Sequence, residues 1–354
     1  MAAPVQGSAL SVETTNLRVS GGAGVIAVIA ALLVFHLNSV SLFGESNSVG
    51  LVTAILGGGL GGVAFVIAYL RSLANTQSKS VWLRRSLDTV ALAINHVGLW
   101  VVLSLGAFFL LQRGFSGVRV DLVTAVALVG AAVFVAAYVM RSSAVSITPE
   151  RVSTLLAVFI VSGVLASAIT APDQHWWMRN FSALGAMPGY SGFAFNATLI
   201  ATGAMVVTLS DYLTDELRNR IQSAPRFRAI NATFVRWALV ALGIALGGVG
   251  IFPVNRLTLL HDIIASSTVV IFAVLVFAIR AVFPGLPTTF LVFGYALVGV
   301  LVVVVVLYVP IDYYNLTAVE IAAFAAILGW LVTLIRVIGA LRAPSPQARA
   351  SGLR

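Results

Sequence analysis

Residues 287–310 read PTTFLVFGYALVGVLVVVVVLYVP, a run without a single charged side chain. About 20 apolar residues cross the hydrocarbon core of a bilayer as a helix, the element that satisfies its own backbone hydrogen bonds there. The run therefore predicts a membrane-spanning helix. Comparable apolar runs lie at about 21–40, 50–70, 88–112, 120–140, 152–171, 191–211, 230–251, 260–280 and 317–341.

Together these runs predict an all-α fold, a polytopic membrane helix bundle of about ten transmembrane helices. The composition agrees, because 60% of the 354 residues are hydrophobic and only 9% are charged. A soluble domain carries about 25% charged residues, so a water-soluble enzyme is excluded. Cysteine is absent from the sequence, which excludes disulfides, thiolate metal ligands and cysteine nucleophiles.

The 21 basic residues outnumber the 12 acidic ones and lie mainly between the apolar runs. That arrangement favours a role in membrane topology over nucleic-acid binding. If both termini are cytoplasmic, four basic residues lie outside and 17 inside, as the positive-inside rule requires. The outer ones are Arg113, Arg119, Arg179 and Arg256, and the inner ones are Arg18, Arg71, Lys79, Arg84, Arg85, Arg141, Arg151, Arg218, Arg220, Arg226, Arg228, Arg236, Arg280, Arg336, Arg342, Arg349 and Arg354.

We therefore expect residues 1–19 and 342–354 to be cytoplasmic segments of a protein of the plasma (inner) membrane. No short apolar segment with a small-residue cleavage site opens the chain, so the first helix is expected to act as an uncleaved signal anchor. Lys79 is the single lysine, a bias typical of a GC-rich bacterial genome. The basic cytoplasmic loops are expected to contact anionic lipid.

Ionisable side chains near membrane spans are costly and are functional candidates for that reason. Most of them fall in three segments that the predicted topology places on the outer side. The loop after the fifth run, the start of the sixth run and the junction of the seventh and eighth runs contribute Asp173, His175, Trp176, Trp177, Arg179, Asn196, Arg256, His261 and Asp262.

This set predicts a site for a lipid headgroup. Arginine pairs with phosphate through two parallel hydrogen bonds, which makes Arg179 and Arg256 candidate phosphate ligands, with Asn196 and Asp262 as further binding residues. A histidine beside a carboxylate can transfer a proton. Adjacent residues on a helix point about 100° apart, so the candidate catalytic partner of His261 is His175 or Asp173 rather than Asp262.

Two of these interpretations have plain alternatives. Trp176 and Trp177 could stack on a sugar, but tryptophans also form the ordinary aromatic belt at the membrane surface. His261 and Asp262 could simply begin a helix, since acidic residues favour the first turn. The glycines at 57–62 and 243–250 predict close helix packing, and the second group could equally line a pocket.

Several chemistries find no support in the sequence. It holds no Gly-x-x-x-x-Gly-Lys, His-Glu-x-x-His or Gly-x-Ser-x-Gly motif, which are the patterns for phosphate binding, zinc proteases and hydrolase nucleophiles. No metal site and no cofactor are predicted, and whether the protein is an enzyme stays open.

The segment 152–341 resembles the bacterial membrane family known as domain of unknown function 998. The resemblance rests on Phe181-Ser182-Ala183-Leu184-Gly185, on Phe195-Asn196, and on Gly250-Ile251-Phe252-Pro253 followed by His261. That family is similar to the group containing damage-regulated autophagy modulators and a lipid-remodelling factor for glycosylphosphatidylinositol anchors. The resemblance implies a six-helix unit over 152–341 and a role involving lipids, with residues 20–141 as a separate four-helix unit.

The leading functional hypothesis is a protein that binds, modifies or moves a lipid or lipid-linked glycan in the outer leaflet. One alternative is a structural subunit that contacts a partner protein of an envelope-synthesis complex. Another is a transporter of a small hydrophobic solute that uses its glycine-rich helices as moving parts.

Overall fold

The computed structural model describes residues 5–36, 39–74, 82–115, 117–223, 229–283 and 285–342. Its helices are α1 (Val5–Phe35), α2 (Val49–Ala74), α3 (Trp82–Gly114), α4 (Leu122–Val145), α5 (Pro149–Thr170), α6 (Ala183–Ala186), α7 (Tyr190–Ser223), α8 (Ala229–Ile251), α9 (Thr258–Val282), α10 (Thr288–Tyr308) and α11 (Leu316–Arg342). Two short strands, β1 (Val40–Ser41) and β2 (Arg119–Val120), pair antiparallel.

Over these described ranges, ten helices, all except α6, are long and apolar enough to cross a membrane. The prediction of an all-α, multi-pass membrane bundle is confirmed. The α10 helix is the most apolar span, with a mean hydropathy of 3.0, and only 17% of its spanning window is buried within the protein. Apolar side chains exposed on this scale require a lipid environment, which is the physical reason that the chain is an integral membrane protein.

The first apolar run differs from its predicted bounds of 21–40. The helix begins at Val5, within the predicted polar segment, and ends at Phe35. His36 then adopts a left-handed backbone with φ 46°, and Val40 pairs with Val120 across the two strands. The end of the run is therefore a strand, because its backbone finds partners in the segment that precedes α4.

The contacts of Arg119 hold this strand pair in place. Its guanidinium forms an ion pair with Glu45 at 2.6 Å and donates a hydrogen bond to the Ser39 carbonyl at 2.9 Å. Asp121 caps α4 by accepting from the backbone N–H groups of Val123 and Thr124, donors that have no partner within the helix.

Some of the basic residues used to predict orientation cannot be placed. Lys79, Arg226, Arg228, Arg349 and Arg354 lie outside the described residues. The cytoplasmic position of the termini stays a prediction.

The chain divides into two compact units. The first unit comprises residues 1–147 and 162–170, and the second comprises 148–161 and 171–354. The first unit thus contains α1 to α4, and the second contains α6 to α11. Residues of α5 belong to both.

Glycines permit close helix packing in the first unit. A Cβ added at Gly24 of α1 would lie 3.2 Å from the Gly130 carbonyl oxygen of α4, and one at Gly57 of α2 would overlap the indole of Trp100 on α3. In this unit the glycine-rich run of α2 therefore packs against its neighbours, as predicted from small-residue interfaces.

In the second unit, Trp330 of α11 is fully buried. Its ring lies 5.8 Å from the ring of Phe272 on α9 and 5.8 Å from that of Phe290 on α10. Edge-on and offset aromatic contacts at this spacing are favourable, and they join three helices into one core. In the same unit, α7 and α8 approach closely through Gly203, Gly243 and Gly247.

Candidate functional site

The loop between α5 and α7, residues 171–189, contains five of the predicted site residues. Asp173 lies at the centre of its polar contacts. One carboxylate oxygen accepts the backbone N–H of His175 at 2.8 Å, and the other pairs with the guanidinium of Arg179. The His175 ring nitrogen lies 3.9 Å from the same carboxylate. Asp173, His175 and Arg179 therefore form one surface cluster whose charges largely satisfy each other.

The two tryptophans of this loop form a short 3-10 turn over Trp176–Met178. The Trp177 side chain is 48% exposed, while its carbonyl oxygen accepts hydrogen bonds from Asn315 and Thr317, both at 2.7 Å. Trp176 packs near Phe181, with 6.3 Å between the ring centroids. These contacts attach the loop to the start of α11.

A second attachment uses Glu320, one turn further along α11. Its carboxylate accepts the backbone N–H of Phe181 at 2.5 Å, the backbone N–H of Ser182 at 3.4 Å and the Ser182 hydroxyl at 2.9 Å. The donors precede α6 and have no helical partners of their own. Phe181 and Ser182 are buried, so Glu320 supplies the acceptors that these donors need.

The residue types alone did not identify Glu320, Asn315 or Thr317 as members of the site. One signal was present, because Glu320 is the single acidic residue in the apolar run 317–341. An acidic residue within a membrane span is a candidate functional residue by default. The partners of Glu320 lie 138 and 139 residues earlier in the chain, a separation that no local pattern encodes.

His261 is buried, with 2% of its surface exposed. Its Nδ1 lies 2.7 Å from the Phe252 carbonyl oxygen, so Nδ1 carries the proton and donates it. Its Nε2 is buried without a hydrogen-bond partner. Within the described residues, no hydrogen bond or ion pair joins His261 to His175 or Asp173. In the structure, His261 therefore does not contact either of its predicted catalytic partners.

Asp262 points away from His261, as expected for neighbours on a helix. It lines a cavity of about 320 Å³ whose walls come from α7, α8, α9 and α11 and from the 171–189 loop. The lining, which we name the Glu320 cavity, includes Phe181, Phe195, Leu246, Asp262, Glu320 and Phe324. It is mostly apolar, with two carboxylates and no basic side chain.

Asn196 and Arg256 share a different pocket, of about 580 Å³. This Arg256 pocket is lined by Gly185, Phe193, Asn196, Ile251, Asn255 and Arg256, among others. The Asn196 side-chain amide donates to the Gly185 carbonyl at 2.8 Å, and its carbonyl oxygen has no partner. Phe193 and Ile251 are exposed apolar side chains, so the pocket is polar at Arg256 and apolar beside it.

The predicted site is thus divided into three parts. Asp173, His175 and Arg179 contact each other, Asn196 and Arg256 line one pocket, and Asp262 lines another cavity together with Glu320. Trp176 and Trp177 belong to the loop that α11 holds. Over the described ranges, no three His, Asp or Glu side chains lie close enough to hold a metal ion.

The fold defines this chain as an integral, multi-pass membrane protein, and the Arg256 pocket and the Glu320 cavity both lie in its second unit. Comparison with protein-family models, curated proteins and solved structures gives no match.

The Asp173 cluster leads to a prediction about pH. The backbone hydrogen bond from His175, together with Arg179, lowers the pKa of Asp173 below its ordinary value of 3.8. A carboxyl with a lower pKa in the folded chain contributes stability that is complete above the unfolded pKa and is lost as pH falls through the folded one. Asp173→Asn should therefore lower the melting temperature slightly at pH 7, and the difference from wild type should begin to shrink as the pH falls below about 3.8, toward the lower pKa of the folded state.

Thermal unfolding of the purified wild type and Asp173→Asn between pH 7 and pH 3 measures this difference. A difference that stays constant across the whole range would mean that the ionised form of Asp173 does not stabilise the loop.

Proposed function

We propose that this membrane protein binds a lipid or lipid-linked glycan, with the anionic headgroup in the Arg256 pocket. One observation carries the proposal: an exposed arginine, without an acidic partner in the described part of the chain, lines an open pocket beside exposed apolar side chains. An amphipathic ligand matches both halves of that lining.

The pocket offers donors suited to a phosphate. The Arg256 guanidinium presents several N–H groups in a planar fork that fits phosphate oxygens, and Asn255 adds an amide to the lining. Arg256 lies in the short turn between α8 and α9, at the end of two spans, where lipid headgroups lie. Phe193 and Ile251 would then contact the first carbons of the lipid chains.

Binding is the part of the hypothesis that the contacts favour. Arg179 is paired with Asp173, which reduces its availability for a phosphate, so Arg256 becomes the principal ligand. The buried Nε2 of His261 has a free lone pair, but the proton-transfer partner expected for it is not in contact. Modification or movement of the lipid stays a prediction, as does the alternative of a subunit that binds an envelope-synthesis protein.

The proposal retains the resemblance to domain of unknown function 998 as support for a lipid ligand. The residues that carry the resemblance contact each other in the fold: His261 donates to the carbonyl of Phe252, within the Gly250–Pro253 motif. The transporter alternative would use glycine-rich helices as moving parts. Gly203 and Gly243 instead bring α7 and α8 into close backbone contact.

Native mass spectrometry of the purified full-length protein, combined with extraction and identification of lipids, tests the proposal. We expect a defined lipid in stoichiometric amount on the wild type. In Arg256→Ala its retention should fall by roughly 10- to 100-fold, the effect of losing hydrogen bonds to a charged group. Arg256→Lys should retain part of the binding because it keeps the charge.

Arg113→Ala is the matched control, because it removes an arginine that stacks on Phe109 in the first unit and is predicted to lie on the same side of the membrane. It should keep the lipid. Equal amounts of mixed phospholipid on all four proteins would contradict the proposal and favour the partner-binding or transport hypothesis.

A further inference from the structure

Arg141, on the last turns of α4, is a buried cation in the first unit. Only 6% of its surface is exposed, and its Nε is buried without a hydrogen-bond partner. In the part of the chain that the structure describes, it forms no hydrogen bond and no ion pair. An unpaired charge is among the least favourable groups to bury, so this guanidinium needs a counter-ion.

A second basic side chain adds to the cost of burying Arg141. Arg71, on the last turn of α2, repels Arg141 electrostatically. The two helices pack directly, since a Cβ added at Gly61 of α2 would lie 2.8 Å from the sulfur of Met140 on α4. Arg71 is exposed and has no partner within the described ranges. Two guanidinium groups thus interact across α2 and α4, and in the described part of the chain neither forms an ion pair with a carboxylate.

The polar side chains on the helices around Arg141 form hydrogen bonds with other groups. Glu13 of α1, which packs against α4, accepts a hydrogen bond from the Tyr138 hydroxyl at 2.5 Å and one from Asn16 at 3.5 Å. Asn16 also donates to Ser142 at 3.2 Å. On α3, His96 contacts the Ser143 hydroxyl through Nε2 at 2.8 Å and the Leu92 carbonyl through Nδ1. None of these groups neutralises Arg141.

The carboxyl ends of α2 and α4 compensate the charges of Arg71 and Arg141 only in part. A helix C-terminus attracts cations, which suits an exposed residue such as Arg71. The Arg141 Nε–H is buried without an acceptor, and the helix carbonyls already engaged within α4 do not supply one. An anion from outside the chain completes the arrangement.

We propose that Arg141 and Arg71 form an anion site between α2 and α4 that binds a phosphate group. Phosphate oxygens accept several guanidinium hydrogen bonds at once. Both arginines lie near the ends of membrane spans, at the level where phospholipid phosphates occur. The site is in the first unit and does not depend on the function proposed for the Arg256 pocket. A lipid headgroup and free phosphate present the same chemistry, and the experiment separates them.

The test measures the melting temperature of purified full-length protein with three additives: dioctanoyl phosphatidylglycerol, dioctanoylglycerol and inorganic phosphate. Dioctanoylglycerol has the same chains without the phosphate. Phosphatidylglycerol should raise the wild-type melting temperature, with an affinity at least about tenfold higher than in Arg141→Met. Arg71→Met should show a smaller loss, and Arg18→Met, which removes an exposed guanidinium from α1, should match the wild type.

A second readout distinguishes a binding site from a structural role. Without added anion, Arg141→Met should melt at or above the wild-type temperature, because it removes an unpaired buried charge. A structural role would lower the melting temperature of Arg141→Met under every condition, and that result would overturn the proposal.

The additives identify the source of the phosphate. A response to phosphatidylglycerol alone assigns the site to a lipid, and an equal response to inorganic phosphate assigns it to a free anion. A response to dioctanoylglycerol as large as that to phosphatidylglycerol, or equal responses in the wild type and Arg141→Met, would show that no phosphate site exists there.

Discussion

Glu320→Ala should be the most damaging single side-chain truncation in the 171–189 loop region. The substitution removes the acceptor for the backbone N–H groups of Phe181 and Ser182 and for the Ser182 hydroxyl. Each buried donor left without a partner costs about 1–3 kcal/mol, so we expect a loss of roughly 3 kcal/mol or more in the free energy of unfolding of the second unit. Thermal unfolding in detergent, together with limited proteolysis of the loop, measures the effect.

Two variants control this experiment. Glu320→Gln keeps the length and one carbonyl oxygen, so it should lose less stability than Glu320→Ala. Asp262→Ala removes the other carboxylate of the Glu320 cavity, which accepts no hydrogen bond within the described residues, and it should melt close to the wild type. If Glu320→Ala melted like Asp262→Ala, the attachment of the loop by Glu320 would not contribute to stability.

The ten spans could be predicted from the sequence because each depends on a local property, a run of about 20 apolar residues. The exceptions depend on distant partners. The run at 21–40 ends as a strand because Val40 pairs with Val120, and the early start of α1 brings Asn16 against Ser142 of α4. Hydropathy contains no information about either contact.

The sequence predicts which residues belong to the candidate site, but it does not predict which of them contact each other. Polar residues at span ends identified Asn196 and Arg256, which do share a pocket. Asp173 and Arg179 are six residues apart, a spacing that permits their ion pair, but an arginine at a span end equally suits an external phosphate, so residue type alone does not choose between the two. The bond of His261 to the Phe252 carbonyl required knowledge of how the 252–257 loop turns, because a backbone acceptor leaves no trace in residue type.

Gly203→Ala is expected to have the other large effect, on the contact between α7 and α8. A Cβ at Gly203 would overlap the Gly243 carbonyl oxygen and lie 2.6 Å from the Gly247 nitrogen. These are backbone atoms of a facing helix, so the two helices must move apart. Overpacking of this kind costs about 1–3 kcal/mol and occasionally more, against the gain of about 1 kcal/mol in helix propensity from glycine to alanine.

Gly247→Ala is the matched control on the same interface. A Cβ there would meet nothing closer than 3.9 Å, so the helix-propensity gain should leave its melting temperature equal to or above that of the wild type. Gly203→Ala should melt clearly lower, and it should also lose lipid from the Arg256 pocket, because α7 supplies Asn196 and α8 supplies Ile251 to that lining. Equal melting temperatures for the two variants would mean that α7 and α8 tolerate separation, and the close glycine contact would then have to be explained by motion between the helices, as the transporter hypothesis requires.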